Sequence, residues 1–167
     1  MIRDCVLDAA GRLCCSNMSW LHHTLSRMAV RYSFESRNWL PWSDRGNVSG
    51  AQHPGVYLIG RFDDNVPGSI DPIDPAILYI GETTGQTIGT RLHQFNRSAF
   101  TGRQAHSGGW TFHTAHALAD PPPWLFVTTV NLDTSELLAG VFIKYVERLL
   151  LWNYASAHGR LPACNKG

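Results

Sequence analysis

Glu147 stands in Phe142-Ile143-Lys144-Tyr145-Val146-Glu147-Arg148-Leu149-Leu150-Leu151-Trp152, one carboxylate among apolar side chains in a stretch with helical texture. At about 100° per residue, Ile143, Leu150, Leu151 and Tyr154 fall within about 60° of it, so Glu147 belongs to the core-facing side of that helix. An ionised carboxylate in such a place costs several kcal/mol unless a metal, a cation or hydrogen bonds compensate. A salt bridge to an arginine would satisfy it, as would a proton or a bound metal ion. A second concentration of chemistry lies between Glu82 and Asp120, where no acid occurs while Arg91, Arg97, Arg103, His93, His106, His113 and His116 do. The acids gather elsewhere, notably Asp63, Asp64, Asp71 and Asp74 in a Pro-rich loop. One surface is therefore expected to be locally basic, although a formal charge of +1 argues against a strongly basic, non-specific nucleic-acid coat.

The elements that must position these groups follow from periodicity. Residues 1–53 are expected to form an N-terminal extension with a helix after Ser19, carrying Trp20, Leu21, Leu25, Met28 and Ala29 on one face. Trp39-Leu40-Pro41-Trp42 breaks that pattern. From residue 54 the texture is that of an α/β (α+β) domain running to residue 167: Gly55-Val56-Tyr57-Leu58-Ile59 and Ala76-Ile77-Leu78-Tyr79-Ile80 read as strands joined by a long Asp/Pro/Gly loop. Ile88, Leu92, Phe95 and Ala99 recur at i, i+4, i+7 and i+11, a helix opened by Thr83 with Gln86 as a capping box. Residues 101–123, rich in Gly and His, read as an irregular excursion before a third strand, Trp124-Leu125-Phe126-Val127-Thr128-Thr129-Val130. The last helix is expected to open on Asp133 with Glu136 and to end before Gly159 and Pro162. The start of the chain has acids and no long apolar run, which predicts an intracellular, cytoplasmic protein without a signal peptide or membrane span. Cys5, Cys14, Cys15 and Cys164 lack zinc-knuckle spacing and read as free thiols.

Taken in order, these residues resemble the GIY-YIG nucleases. Gly55-Val56-Tyr57 stands where that family has its first triplet and Tyr79-Ile80-Gly81 where it has its second; Arg91 follows on the next helix, Glu147 on the long helix, and Asn165 in the tail. Each triplet alone is a weak signal, but the ordered set on strand, strand, helix, helix and tail is much stronger. The resemblance covers residues 54–167 and implies a small three-stranded, mainly antiparallel sheet flanked by helices. It also implies phosphodiester hydrolysis in DNA, with Tyr57, Tyr79, Arg91, Glu147 and Asn165 as the catalytic set. Glu147 would hold one hard divalent cation, Mg²⁺ with Mn²⁺ as a substitute, and Arg91 would face the scissile phosphate. Tyr57 becomes the candidate general base and Tyr79 a group orienting the phosphate or a metal-bound water. A phenol, with an ordinary pKa of about 10, can act as a base only if neighbours lower that value. Asn165 would sit near the metal shell or brace the tail over the site.

Two positions depart from the family pattern. Phe95 stands one turn after Arg91, where many members carry a histidine, and His93 lies about 200° around the helix from Arg91. Glu82 replaces a lysine that several relatives have, and strand alternation turns it away from Tyr79 and Gly81, as a surface acid rather than a second ligand. Substrate recognition is expected from Thr101 to His113, with Arg97, Arg103, Gln104, His106 and His113 as candidate contacts; the alternative is a zinc site on His106, His113 and His116. The inserted loop and short length are similar to the small restriction-enzyme branch, which implies duplex DNA as partner and a homodimer for double-strand cleavage. Structure-specific or repair-type nicking, or a catalytically silent nucleic-acid-binding module, are the other readings.

Overall fold

The computed structural model of the chain describes residues 6–7, 13–14, 31–33, 39–133 and 136–166, with side chains over 39–132 and 138–166. The helix expected after Ser19 lies outside the described residues, as do Cys5, Cys15 and the side chains of Cys14, Asp133 and Glu136. The chain divides into two compact units, Met1–Val30 and Arg31–Gly167. In the first, β1 (Val6–Leu7) pairs antiparallel with β2 (Leu13–Cys14). The second unit begins before the boundary expected at residues 53 and 54, and all the chemistry above lies within it.

Its main sheet has four strands rather than three. The order is β4 (Leu40–Pro41), β7 (Leu125–Thr129), β5 (Gly55–Arg61) and β6 (Ile77–Thr83), each antiparallel to its neighbour. The added strand comes from Leu40-Pro41, whose proline is tolerated because the strand is an edge. A separate pair joins β3 (Arg31–Ser33) to β8 (Asn131–Asp133). Trp39 and Trp42, 4% and 1% exposed, are core residues, and Trp42 opens a 3₁₀ helix over Trp42–Asn47.

Central strand β5 is covered on both faces, and its alternation sends residues to two cores. Tyr57 and Ile59 join Leu92, Phe95 and Ala99 of helix α1 (Ile88–Thr101), together with Phe112 of helix α2 (Ser107–His116). Val56 and Leu58 join Ile80 and the Ile143, Val146, Leu150 and Tyr154 face of helix α3 (Glu136–His158). The helices therefore lie on opposite faces of the sheet. The outer side of α3 leaves Val141, Tyr145 and Trp152 exposed. Among the described residues no helix is long and apolar enough to cross a membrane.

Helix α1 carries the predicted stripe, since Ile88, Leu92, Phe95 and Ala99 are all buried, but its cap is Thr87, not Thr83. Thr87 Oγ1 accepts from Thr90 N at 3.1 Å, while Thr83 closes the preceding turn by donating to Gln86 O at 2.9 Å. The free amides of the first helical turn find carbonyls in a loop before β5: Ile88 N donates to His53 O at 2.9 Å and Gly89 N to Ala51 O at 2.8 Å.

Residues 101–123 are not wholly irregular, because Ser107–His116 is helix α2. A Ser-Gly-Gly start has poor helix propensity, so tertiary packing has to supply what local preference does not. Its glycines let backbone approach closely. A Cβ on Gly109 would lie 2.6 Å from Phe95 O of α1, and one on Gly108 would collide with the Tyr79 ring. Helix α3 ends as expected, with Gly159 at φ +65° in the left-handed region.

Candidate active site

Tyr57 and Tyr79 come together through register. In the β5/β6 pair Tyr57 lies opposite Gly81 and Ile59 opposite Tyr79, so the two phenols are diagonal neighbours on the α1 face, with ring centroids 6.0 Å apart. Gly81 makes room for them: a Cβ there would meet Tyr57 Oη at 2.9 Å and would strike the Tyr79 ring. Tyr57 is fully buried and Tyr79 8% exposed. Burial, with Tyr79 beside it, pushes the Tyr57 phenol well above its ordinary range, and the Arg91 guanidinium opposes that rise. Burial also raises Tyr79; Arg91 again opposes it and the Glu147 charge adds to it.

Arg91 lies on the edge of α1 and lines two clefts. One, of about 330 Å³, is bounded by Arg91, Gln104, Ala105, His106, Ser107 and Trp110; the other, of about 480 Å³, by Glu82, Thr83, Thr84, Gly85, Gln86 and Arg91. Among the described residues no carboxylate pairs with Arg91. Its Nη1 donates instead to Gln94 Oε1 at 2.7 Å, and Gln94 Nε2 donates to Gln86 Oε1 at 2.9 Å, so two neutral amides hold the guanidinium in place.

Glu147 is 8% exposed on the face of α3 that packs on the sheet. Its partner among the described residues is the adjacent Arg148, Nε to Oε2 3.3 Å, whose own side chain is 79% exposed. An ion pair open to water on one side contributes about 1 kcal/mol or less, too little to offset burial of a carboxylate. Burial accordingly raises the Glu147 carboxyl above its usual range, Arg148 works against that, and Glu82 adds to it. Glu82 is half-buried rather than a surface acid, and its Oε2 is enclosed without a hydrogen-bond partner among the described residues. Register explains this, since Glu82 pairs with Val56 on the α3 face of the sheet. Two carboxylates that feel each other, one with an orphaned oxygen, fit a hard divalent cation, which is commonly held by one or two protein carboxylates.

The tail reaches the same strand. Asn165 Oδ1 accepts from Ile80 N at 3.0 Å, its Nδ2 donates to Ile80 O at 2.8 Å, and Cys164 N donates to Leu78 O at 2.8 Å. Asn165 thus serves as a surrogate strand on the outer edge of β6, at Ile80, between Tyr79 and Gly81 in the chain. Cys164 is a free, buried thiol, pushed up to about 12 by burial.

The remaining candidates separate. Arg103 and Gln104 are exposed on the connection from α1 to α2, and Gln104 shares the smaller cleft with Arg91. Arg97 is half-buried outside that lining, and His113 Nδ1 donates to Ala99 O at 3.0 Å, fastening α2 to α1. His116 packs on Phe112 and Trp124, with ring centroids 4.5 and 5.7 Å away. His106 is 4% exposed and its Nε2 lies 2.8 Å from Tyr57 Oη. Burial, with Arg91 second, pushes its imidazole down to about 3, so it is neutral at physiological pH. Among the described residues no three His, Cys, Asp or Glu side chains gather as a metal-holding group. Sequence reasoning missed the contact of His106 with Tyr57 and the closeness of Glu82 to Glu147.

Compared with models of known protein families, with curated proteins and with solved structures, the chain matches none.

Proposed function

We propose that this protein is a GIY-YIG nuclease, a divalent-metal-dependent DNA endonuclease that hydrolyses phosphodiester bonds, with sequence-specific cleavage of duplex DNA as its activity. One observation carries the reading. Tyr57 on β5 and Tyr79 on β6 stand with ring centroids 6.0 Å apart, Tyr57 Oη touches His106, which shares a cleft with Arg91 of α1, and the charge of Glu147 on α3 raises the Tyr79 phenol. The motif residues come from separate elements, and a set that merely packed a sheet would have no use for a buried, poorly compensated acid on one element and, on another, an arginine that pairs with no acid among the described residues.

Hydrolysis needs a held phosphate, a directed water and stabilisation of the charge that grows on the phosphoryl oxygens. Arg91, held by Gln94 and opening on two clefts, presents a fixed guanidinium to a phosphate, whose charge it would stabilise most in the transition state. Glu147 and Glu82 would hold the cation. When bound, a divalent ion there supplies charge neutralisation and a water of lowered pKa. Tyr79 orients the phosphate, and Tyr57 directs the attacking water through its hydroxyl. At neutral pH Tyr57 is a phenol in the unliganded protein, so it enters as a hydrogen-bonding group rather than a preformed base. One site cuts one strand, and cutting both takes two copies related by a dyad or two successive visits.

The test is incubation of the protein and of Glu147→Gln with mixed plasmid and phage DNA, with Mg²⁺ and with chelator. Discrete fragments that vanish with chelator and with Glu147→Gln are expected, while DNA binding persists in the variant. Nicked circles would instead mark a structure-specific or nicking enzyme, and unchanged cleavage by Glu147→Gln would refute the metal assignment. Mg²⁺ or Mn²⁺ should raise the Tm of the wild-type chain and not of the variant. The Glu147 carboxyl is raised in the fold, so its contribution to stability is lost as pH climbs through that raised value. Glu147→Gln should therefore melt no lower than wild type at pH 7.

A further inference from the structure

His106 occupies the position before the first residue of α2 and caps that helix with its side chain, Nδ1 accepting from Gly109 N at 3.2 Å. A backbone amide can only donate, so Nδ1 must present a lone pair. The imidazole is neutral, which leaves its one proton on Nε2, and Nε2 is the atom 2.8 Å from Tyr57 Oη. In the opposite tautomer Tyr57 would donate to Nε2, and Nδ1–H would face Gly109 N–H, two donors against each other. The cap therefore decides the direction of a hydrogen bond at the other end of the ring.

The ring has little freedom to escape this arrangement. Ser98 Oγ, itself fully buried, accepts from the backbone amides of Ala105 and His106 at 3.0 and 2.8 Å. Tyr79 and Phe95 each meet the imidazole edge-on with centroids 5.3 Å away. Arg91 lies on the open side, in the cleft that His106 helps line. The titratable and charged groups facing His106 are thus Tyr57 from β5, Tyr79 from β6 and Arg91 from α1.

We propose that His106 is a positioning residue for Tyr57: it donates Nε2–H to the phenol oxygen, and the α2 cap on Nδ1 locks it in that donor role. This inference rests on the nuclease reading for its catalytic meaning and on geometry for the hydrogen bond. Its consequence is directional. The Tyr57 oxygen has a fixed donor behind it, the Tyr57 proton is kept off His106, and His106 does not receive that proton.

Two variants separate the ends of the ring. His106→Asn keeps an acceptor where Nδ1 caps α2 and removes the donor to Tyr57; His106→Gln reaches Tyr57 with an amide N–H and gives up the cap. The first should melt within about 2 °C of wild type yet lose about 10- to 100-fold in kcat with little change in KM. The second should lose about 2–4 °C in Tm, as for one helix cap in a chain of this size, and regain most of the kcat that the asparagine lost. Loss of kcat in both in proportion to Tm would mean that His106 only holds the fold, and would overturn the proposal. Imidazole ¹⁵N NMR of the wild-type chain, in which His106 is assigned by its loss in His106→Asn, reads the tautomer directly. An unprotonated Nδ1 and a protonated Nε2 at pH 7 are expected; the reverse tautomer or an imidazolium would refute the hydrogen bond. Those shifts decide the hydrogen bond whether or not any DNA is cut, so its failure and that of the nuclease reading are told apart.

Discussion

Arg91 gives its resolved side-chain hydrogen bond to a neutral amide, Gln94 Oε1 at 2.7 Å, and opens on two clefts. A guanidinium held this way keeps its full charge for a ligand, since a carboxylate partner would compete with phosphate. Arg91→Ala should therefore lower kcat by more than it weakens DNA affinity, by about 100-fold or more as for removal of a charge stabiliser. Single-turnover cleavage beside a binding titration checks this, and a proportional loss in both would make Arg91 a residue that only holds the DNA. At this scale the burial of Glu147 was legible, because a 3.6-residue period says which side of a helix meets the core. The charged neighbour of Glu147 was not, since Glu82, which raises its carboxyl, stands on a strand far away in the chain. His106 read as a surface contact for DNA, and its burial against Tyr57 followed only from the helix it caps.

The helices show what local preference can and cannot carry. Helix α1 announces itself by a clean apolar stripe, whereas α2 begins Ser-Gly-Gly and offers Phe112 as its fully buried side chain. What makes α2 stable is contact, and its two glycines divide the labour. Gly109 lies against α1 backbone, so Gly109→Ala must push two helices apart and should cost about 1–3 kcal/mol. Gly108 lies under the Tyr79 ring, so Gly108→Ala moves a side chain of the site and should lower kcat more than its loss of stability accounts for. Denaturant unfolding and cleavage kinetics on the pair test the division; equal effects on both quantities in both variants would deny it. The same logic explains the misplaced cap of α1. Thr83 and Gln86 have capping-box spacing, but Thr83 belongs to β6 and its hydroxyl closes the turn that Thr87 then follows.

For the molecule as a whole, residues 31–53 are part of the unit that carries the site, not of an extension. Trp39 packs on Phe62 at 4.8 Å, Trp42 packs on Phe95 at 5.2 Å, and Trp42 Nε1 donates to Asn96 Oδ1 at 2.8 Å. Losing a buried tryptophan removes roughly 3–5 kcal/mol, and losing both approaches the roughly 5–15 kcal/mol that holds a whole domain. A chain begun at Arg31 is expected to unfold cooperatively with Trp39 and Trp42 shielded from quencher, and one begun at Pro54 is expected not to fold; cooperative unfolding of the shorter chain would show that Trp39 and Trp42 are dispensable. What the sequence by itself determined is the set of properties that depend on residues a few positions apart: strands β5, β6 and β7, the α1 stripe, the apolar side of α3 with Glu147 on it, and the order of the motif residues. What only the tertiary structure decided are the pairings across long stretches of chain. Tyr57 meets His106 across 49 positions, and Ile80 meets Asn165 across 85. The physical reason is that periodicity reports which face of an element is apolar, while the identity of the group opposite is set by how strands register and helices pack, and no local pattern encodes that.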